Sequence, residues 1–214
     1  MLLGTKADTL INSKNKIKEF IIPKSYVFTV NNWINNSKLI EKNIKSIFKK
    51  RKIILRSSTT FEDTNLHSAA GAFDSILNVN SSNKKEVKRS IEKVIKSYKK
   101  KIRNISNQQI LVQEMMLGIK MSGVIFTGDN SGYNNYYTIN YDDVTGRTDT
   151  VTSGNSVYSN KTLYVYKTKK KFLRSSRFKK LIKATKEIEN YFPFPLDIEF
   201  CMNKKNKFYL FQIR

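Results

Sequence analysis

The sequence predicts an α+β fold with a mixed front lobe and a strand-rich back lobe. Helical and strand-like hydrophobic periods alternate over the first half of the chain. After Asn107 the pattern changes to a run of short strands, and two strand patterns close the chain. We therefore expect one lobe at residues 1–108 and a second at residues 109–214.

The front lobe is predicted to begin with a loop at residue 4 that enters a short helix. Strands are expected over residues 21–30, 52–58 and 73–79, and longer helices over residues 32–49 and 84–103. The first long helix repeats apolar residues about every 3.6 positions, at Trp33, Ile34, Leu39, Ile40, Ile44, Ile47 and Phe48. The second has one apolar stripe, made of Val87, Ile91, Val94, Ile95, Tyr98 and Ile102, and its lysines lie on the opposite face.

The back lobe is predicted to be built mainly from strands. They are expected over residues 110–115, 122–127, 136–141, 148–152, 161–167, 196–202 and 207–213. One helix is expected over residues 176–191. No internal repeat and no low-complexity linker interrupts this order.

The net charge of +23 raises the question of a nucleic-acid partner. The basic residues are spread over segments 49–52, 84–103, 169–171 and 204–207, and they form no RNA-binding signature in which aromatic and basic residues are interleaved. A chain rich in Lys, Asn and Ile throughout explains the charge better, so we expect no nucleic acid. A non-enzymatic protein that binds RNA or a membrane surface stays the alternative.

Composition excludes several other classes. The single cysteine, Cys201, excludes an internal disulfide framework and a cysteine-based zinc site. No segment approaches the roughly 20 apolar residues that span a bilayer, and Lys6 and Asp8 interrupt the start where a signal peptide needs an apolar run. We expect a cytoplasmic protein without a membrane span.

The last two strand patterns predict a hairpin with one polar face. A loop at residues 203–206 pairs Met202 with Lys207, Glu199 with Leu210 and Asp197 with Gln212. Alternation then places Asp197, Glu199, Gln212 and Arg214 on one face, and Ile198, Phe200, Phe211 and Ile213 in the core. Two carboxylates, an amide oxygen and a guanidinium suit a site for magnesium and a polyphosphate, although a solvent-facing hairpin would show the same pattern.

Four paired segments, in this order, resemble the ATP-grasp domain of the phosphoenolpyruvate synthase and pyruvate phosphate dikinase family. They are GTKA at residues 4–7 with IPKSYV at 22–27, LRSSTTFED at 55–63 with AGAFDSILNV at 70–79, VQEM at 112–115 with SGVIFT at 122–127, and LDIEF at 196–200 with LFQIR at 210–214. The match extends over essentially the whole chain. It implies a two-lobed ATP-grasp fold and a phosphotransferase that uses ATP and Mg2+.

The resemblance also implies a role for each matching residue. Lys6 and Arg56 hold the phosphates of ATP, Gly71 lets the backbone approach them, and Gln113, Glu114 and Met115 lie along the adenine. Glu199 and Gln212 bind Mg2+, and Arg214 grips the transferring phosphate, so Arg56 and Arg214 are the expected catalytic residues. Each residue also has a structural interpretation. Lys6 could lie on the surface and Arg56 could pair with Glu62. Gly71 could form a plain turn, and Met115 could belong to the core.

The chain departs from the family pattern at two places. Thr5 replaces the second glycine of the opening motif, and the family's G-L-G-E segment is missing. Residues 140–149, continuing into 152–154, resemble the capsule-locus branch of the family, which includes the glutamine kinase of capsular phosphoramidate synthesis. L-glutamine is therefore the first expected acceptor, and pyruvate, with water, is the alternative.

The family passes the phosphoryl group through a histidine on a separate swivelling domain. The only histidine of this chain, His67, lies in a loop where the family does not place that carrier. We therefore expect the chain to be an ATP-binding module, with the phosphohistidine and acceptor domains in further sequence of the parent protein or in a partner chain.

Overall fold

The computed structural model describes residues 3–59, 73–128, 135–148, 151, 159–168 and 173–214. The chain divides into two compact units. The front unit comprises Gly4–Ala7 and Pro23–Met115, and the back unit comprises Met1–Leu3, Asp8–Ile22 and Met116–Arg214. No helix in the described part of the chain has both the length and the apolar character that a bilayer crossing requires.

The front unit holds a four-stranded antiparallel sheet. Its strands are β1 (Ser25–Thr29), β2 (Lys52–Ser58), β3 (Ser75–Asn80) and β4 (Gln109–Glu114), in the spatial order β1-β4-β2-β3. Helix α1 (Lys6–Ser13) precedes these strands, and α2 (Val30–Phe48) and α3 (Lys84–Lys99) connect them. One apolar core joins the sheet to α2 and α3, because the buried stripes of both helices pack with residues of all four strands.

The units divide after Met115, later than the predicted boundary at residue 108. The difference has a simple cause. Strand β4 pairs with β1 along one edge and with β2 along the other, so its hydrogen bonds hold it in the front sheet.

Helix α2 begins with a capping box and contains a kink. The hydroxyl of Thr29 accepts a hydrogen bond from the N–H of Asn32 at 3.1 Å, and the Asn32 side chain accepts one from the N–H of Thr29 at 2.9 Å. Asn36 then departs from helical geometry, with φ −138° and ψ 39°. The predicted apolar stripe is wrong at Ile34 and Leu39, which are 68% and 55% exposed. The buried residues Trp33, Ile40 and Ile44 share one face of the helix, and Ile34 and Leu39 lie away from it.

The back unit holds a five-stranded antiparallel sheet and one long helix. Its strands are β5 (Ile119–Phe126), β6 (Tyr136–Asp142), β7 (Lys161–Tyr166), β8 (Asp197–Asn203) and β9 (Phe208–Ile213), in the order β7-β6-β5-β8-β9. Helix α4 (Ser176–Glu189) packs against β6. The rings of Phe178 and Tyr141 lie 5.1 Å apart, and the Tyr137 hydroxyl donates to Glu189 at 2.5 Å.

The predicted order of helices and strands is confirmed wherever the structure describes it, with shifts at the ends of elements. Helix α3, for example, ends at Lys99 rather than at residue 103. The strand predicted over residues 148–152 falls largely outside the described residues, and neither Thr148 nor Val151 belongs to a strand. The α+β prediction is therefore correct.

Gly123 allows β5 and β6 to approach closely. A Cβ atom at this position would lie 2.1 Å from the backbone oxygen of Asn140 and 2.9 Å from the Cα atom of Tyr141. Backbone atoms in a paired strand cannot move aside without breaking the ladder. The glycine of the SGVIFT segment is therefore required by packing.

We expect Gly123→Ala to lower the free energy of unfolding by about 3 kcal/mol, the upper end of the usual cost of overpacking. Denaturant unfolding followed by circular dichroism measures this loss. Lys120→Ala, at an exposed position of the same strand, is the matched control and should change stability by less than about 0.5 kcal/mol. A Gly123→Ala variant as stable as the control would contradict the close approach of the two strands.

Candidate functional site

The turn between β8 and β9 has three residues rather than the predicted four. The N–H of Asn203 donates to the carbonyl of Lys207 at 3.1 Å, and the Asn203 side chain accepts from the N–H groups of Lys205 and Lys207 at 3.0 Å each. Asn206 has a φ of 54°, a left-handed conformation that asparagine tolerates. The predicted pairing of Met202 with Lys207 is therefore wrong, and the register starts one residue later.

A β-bulge in β9 then changes the register a second time. Phe200 faces Leu210, but the next pair is Glu199 with Gln212, so Phe211 is the extra residue. The predicted pairing of Glu199 with Leu210 is wrong because the shorter turn and the bulge each move the register by one residue. Phe211, predicted to lie in the core, is only half-buried.

The bulge places polar side chains directly opposite one another. Glu199 faces Gln212, and the backbones of Asp197 and Arg214 exchange two hydrogen bonds of 2.6 and 2.8 Å. Residues directly opposite in an antiparallel pair project to the same side of the sheet. The four residues therefore share one side, as predicted, although Asp197 does not pair with Gln212. We call this side the polar face.

The polar face continues across the rest of the back sheet. Two rows follow from the strand registers: Gln212, Glu199, Val124, Asn140 and Thr162 form one, and Arg214, Asp197, Phe126, Thr138 and Tyr164 form the other. Helix α4 packs on the opposite side, because its partners Tyr137 and Tyr141 alternate along β6 with Thr138 and Asn140. Helix α4 therefore leaves the polar face uncovered.

Asp197 and Arg214 form an ion pair at the edge of the polar face. An Arg214 guanidinium nitrogen lies 3.3 Å from Asp197 Oδ2. Burial raises the pKa of the Asp197 carboxyl above its usual value, while the charge of Arg214 and its hydrogen bond act in the opposite direction. Arg214 thus opposes the effect of burial on the pKa of this half-buried carboxyl group.

Glu199 and Gln212 are the predicted metal ligands, and both lie within the sheet. Glu199 is half-buried and Gln212 is 5% exposed. Their carboxylate and amide oxygens are the hard donors that Mg2+ prefers. Among the described residues, no group of three His, Cys, Asp or Glu side chains is arranged to hold a metal ion.

The front unit places Lys6 beside the end of β2. The ammonium of Lys6 is buried and donates to the carbonyl of Ser57 at 3.4 Å, and the N–H of Ala7 donates to the hydroxyl of Ser58 at 2.9 Å. Arg56, half-buried, immediately precedes Ser57 on this strand. The two predicted phosphate-binding cations therefore belong to one local structure, while Gly71 and Glu62 lie outside the described residues.

The end of β2 is held in place by Tyr98 of α3. The buried Tyr98 hydroxyl donates to the carbonyl of Gln109 and accepts from the N–H of Ser58 at 2.8 Å. The Gln109 side chain in turn accepts from the Thr5 hydroxyl at 2.6 Å. Hydrogen bonds thus connect the opening segment, β2, β4 and α3 at Ser57 and Ser58, the two residues that follow Arg56.

The predicted adenine segment, residues 113–115, ends the front unit. Gln113 is 1% exposed and its amide nitrogen donates to the Ser25 hydroxyl at 3.3 Å, but its Oε1 atom is buried without a hydrogen-bond partner among the described residues. Glu114 forms an ion pair with Arg51. The N–H groups of Glu114 and Met115 donate to the carbonyls of Lys24 and Lys52 at 2.9 and 3.0 Å.

The structure gives Asp142 and Asp143 structural roles that the sequence analysis did not assign. Asp142 accepts from the N–H groups of Val144 and Thr145 at 2.8 and 3.0 Å, which closes a turn after β6. Asp143 pairs with Lys161 and Arg177, and the hydrogen bond from Lys161 is the main cause that holds its pKa below the usual value. The sequence D-D-V-T-G carried the signal for this turn, since Asx and glycine residues favour turns.

We expect Arg214→Ala to raise the pKa of Asp197 further, because the variant loses the charge and the hydrogen bond that lower it. Carbon NMR of the carboxyl group measures this shift. A raised pKa in the folded state means that protonation favours folding. The variant should therefore be less stable than the wild type above that pKa, and the difference should disappear as the pH falls through it.

Arg214→Lys keeps the charge and is the control, for which we expect a smaller shift. An unchanged Asp197 titration in Arg214→Ala would show that the ion pair has no electrostatic role.

Comparisons with known proteins agree with this architecture. The profile of a family described as pyruvate phosphate dikinase, AMP/ATP-binding domain, matches residues 4–172. No curated protein matches the chain in sequence.

Solved structures of ligases share the fold. The D-alanine–D-alanine ligase of Helicobacter pylori is 11% identical, with a TM-score of 0.50 over 98% of this chain and 50% of that one. The D-alanyl-alanine synthetase A of Vibrio cholerae is 10% identical, with a TM-score of 0.53 over 98% and 53%. The RiPP-associated ATP-grasp ligase of Chryseobacterium gregarium, solved with ADP and peptides, is 12% identical, with a TM-score of 0.51 over 97% and 50%.

The chain thus spans about half the length of these ligases. At such low identity the likeness shows the fold alone, and that fold is ATP-grasp. The family profile covers most of the chain and supplies the closer relationship. The chain belongs to the pyruvate phosphate dikinase AMP/ATP-binding domain family.

Proposed function

We propose that this chain binds Mg–ATP and is the ATP-binding part of a dikinase-type phosphotransferase. The observation that carries the proposal is the Glu199–Gln212 pair on the polar face, beside the Asp197–Arg214 ion pair. Two oxygen ligands next to an arginine suit a metal-bound polyphosphate. The family of the chain supports the same ligand.

The residues present fit magnesium. Mg2+ usually takes one or two carboxylates from a protein and completes its shell with waters and phosphate oxygens. Glu199 would supply the carboxylate and Gln212 the amide oxygen. When bound, the metal supplies charge neutralisation at the phosphates.

Arg214 would bind the transferring phosphate through its planar fork of N–H donors. Asp197 holds one side of this guanidinium at 3.3 Å and so limits its orientation. Positioning and neutralisation are the main demands of phosphoryl transfer. The ion pair therefore orients the arginine so that it can position the phosphate and neutralise its charge.

On the family resemblance we assign Lys6 and Arg56 to the binding of ATP phosphates. The buried ammonium of Lys6 is fixed near the end of β2 through Ser57, and the adjacent N–H of Ala7 is fixed through Ser58. Immobilised cations lose little freedom when an anion binds, which favours affinity. We assign Gly71 to the same phosphate-binding segment on the family resemblance.

Gln113 fits the recognition of adenine. Its buried Oε1 lacks a hydrogen-bond partner among the described residues, and an unsatisfied buried acceptor is costly. The exocyclic amino group of adenine is a donor that would satisfy it, whereas guanine carries a carbonyl at that ring position. Glu114 and Met115 would line the base beside Gln113.

The reaction we propose for the parent protein converts ATP and water into AMP and phosphate, while the other phosphoryl group is carried as a phosphohistidine on another domain and then passes to the acceptor. L-glutamine is the proposed acceptor, because residues 140–149 resemble the capsule-locus branch. Pyruvate, with water, is the alternative. AMP rather than ADP among the products distinguishes the dikinase reaction from a simple kinase.

We expect Glu199→Gln to weaken the binding of Mg–ATP at least about tenfold, or about 1.4 kcal/mol, because it removes the charged metal ligand without changing its shape. Affinity for ATP without Mg2+ should stay near the wild-type value. Titration calorimetry measures both constants. Glu92→Gln, on the exposed side of α3, is the matched control and should bind as the wild type does.

The unfolding temperature of each variant shows whether the fold is intact. Wild-type affinity for Mg–ATP in Glu199→Gln would exclude Glu199 as a ligand. Absence of heat and of thermal stabilisation with the wild type at millimolar ATP would contradict the proposed function itself.

A further inference from the structure

Asn140 and Thr162 form a neutral hydrogen-bonding pair at the far end of the row that contains Glu199. Strand pairing links Glu199 to Val124, Val124 to Asn140, and Asn140 to Thr162, so all four side chains project from the polar face. Asn140 is half-buried and Thr162 is exposed. The row thus changes from the proposed metal ligands Glu199 and Gln212, of which Glu199 is charged, to a neutral pair on β6 and β7.

The Thr162 hydroxyl fixes the orientation of the Asn140 amide. It donates a hydrogen bond of 2.9 Å to Asn140 Oδ1. The oxygen and nitrogen of an amide diverge from one carbon atom, so a hydroxyl bonded to the oxygen leaves the two N–H donors of Asn140 facing a different direction. The hydroxyl oxygen of Thr162 keeps lone pairs that can accept a hydrogen bond. Together the pair offers donors and an acceptor, and no charge.

We propose that Asn140, oriented by Thr162, binds the ribose hydroxyl groups of the nucleotide. This inference rests on the proposed function, since it adds a contact to the same Mg–ATP. Sugar hydroxyls both donate and accept, which matches a neutral amide and hydroxyl. Phosphates are better matched by the cations Lys6, Arg56 and Arg214, which lie outside this row.

The spacing along the row agrees with this assignment. Neighbouring strands are about 4.8 Å apart, so the backbone of Asn140 lies roughly 10 Å from that of Glu199, two strands away. If the outer phosphates of the nucleotide bind the metal at Glu199, the inner phosphate separates the ribose from that metal. The distance between Glu199 and Asn140 therefore suits a single nucleotide whose metal lies at the first residue and whose sugar lies at the second.

The test is a double-mutant cycle between the side chain and the sugar. Titration calorimetry compares ATP with 2′-deoxy-ATP and 3′-deoxy-ATP, all with Mg2+, for the wild type and Asn140→Ala. We expect the wild type to bind one deoxy analogue about fivefold more weakly than ATP, the effect of one lost neutral hydrogen bond. Asn140→Ala should bind ATP about fivefold more weakly than the wild type does, and should bind ATP and the deoxy analogue equally well.

Two further variants complete the design. Thr162→Val keeps Asn140 but removes the hydroxyl that orients it. We expect it to reduce the preference for ATP over the deoxy analogue, by a smaller factor than Asn140→Ala does. It also serves if Asn140→Ala does not fold, since position 162 is exposed. Asn35→Ala, at an exposed position of α2, is the matched control and should keep the wild-type preference.

The outcomes separate this inference from the function on which it rests. If Asn140→Ala and Thr162→Val bind ATP and both analogues with wild-type affinities, or lose affinity for all three equally, the ribose assignment is wrong while ATP binding stands. If the wild type itself binds no ATP, both are wrong.

Discussion

The polar face depends on how the turn at residues 203–207 sets the register of the last two strands. The Asn203 side chain accepts two backbone hydrogen bonds and Asn206 takes the left-handed conformation, so the turn is one residue shorter than its sequence suggests. The bulge at Phe211 then shifts the pairing again. Without the second shift Glu199 would face Phe211 rather than Gln212, and the two proposed metal ligands would not be paired.

The front unit uses the same principle, in which side-chain hydrogen bonds to the backbone position the functional groups. The opening segment is held at the end of β2 through Ser58 and Gln109, and Tyr98 holds both of those positions from α3. Tyr98 is completely buried within the apolar core. The placement of Lys6 and Arg56 is therefore coupled to the packing of the core, because the residue that organises the segment belongs to both.

Hydrophobic periodicity was sufficient to predict the order of helices and strands, and the family motifs predicted the ATP-grasp fold, but local backbone irregularities were visible in neither. The exposed residues Ile34 and Leu39 lie away from the buried face of α2, and the half-buried Phe211 follows from a bulge that has no strong local signature. The positive φ of Asn206 is an exception, since an asparagine near a tight turn signals that conformation. Asn140 was missed because a lone amide gains meaning only when strand pairing aligns it with Glu199.

The central claim is that the β8–β9 hairpin holds the metal of Mg–ATP. Replacing Mg2+ by paramagnetic Mn2+ in the presence of ATP, and recording the backbone amide NMR spectrum, tests it most directly. We expect selective broadening of the amides of residues 198–200 and 211–213, with those of α3 unaffected. Broadening elsewhere, with sharp signals from both strands of the hairpin, would contradict it.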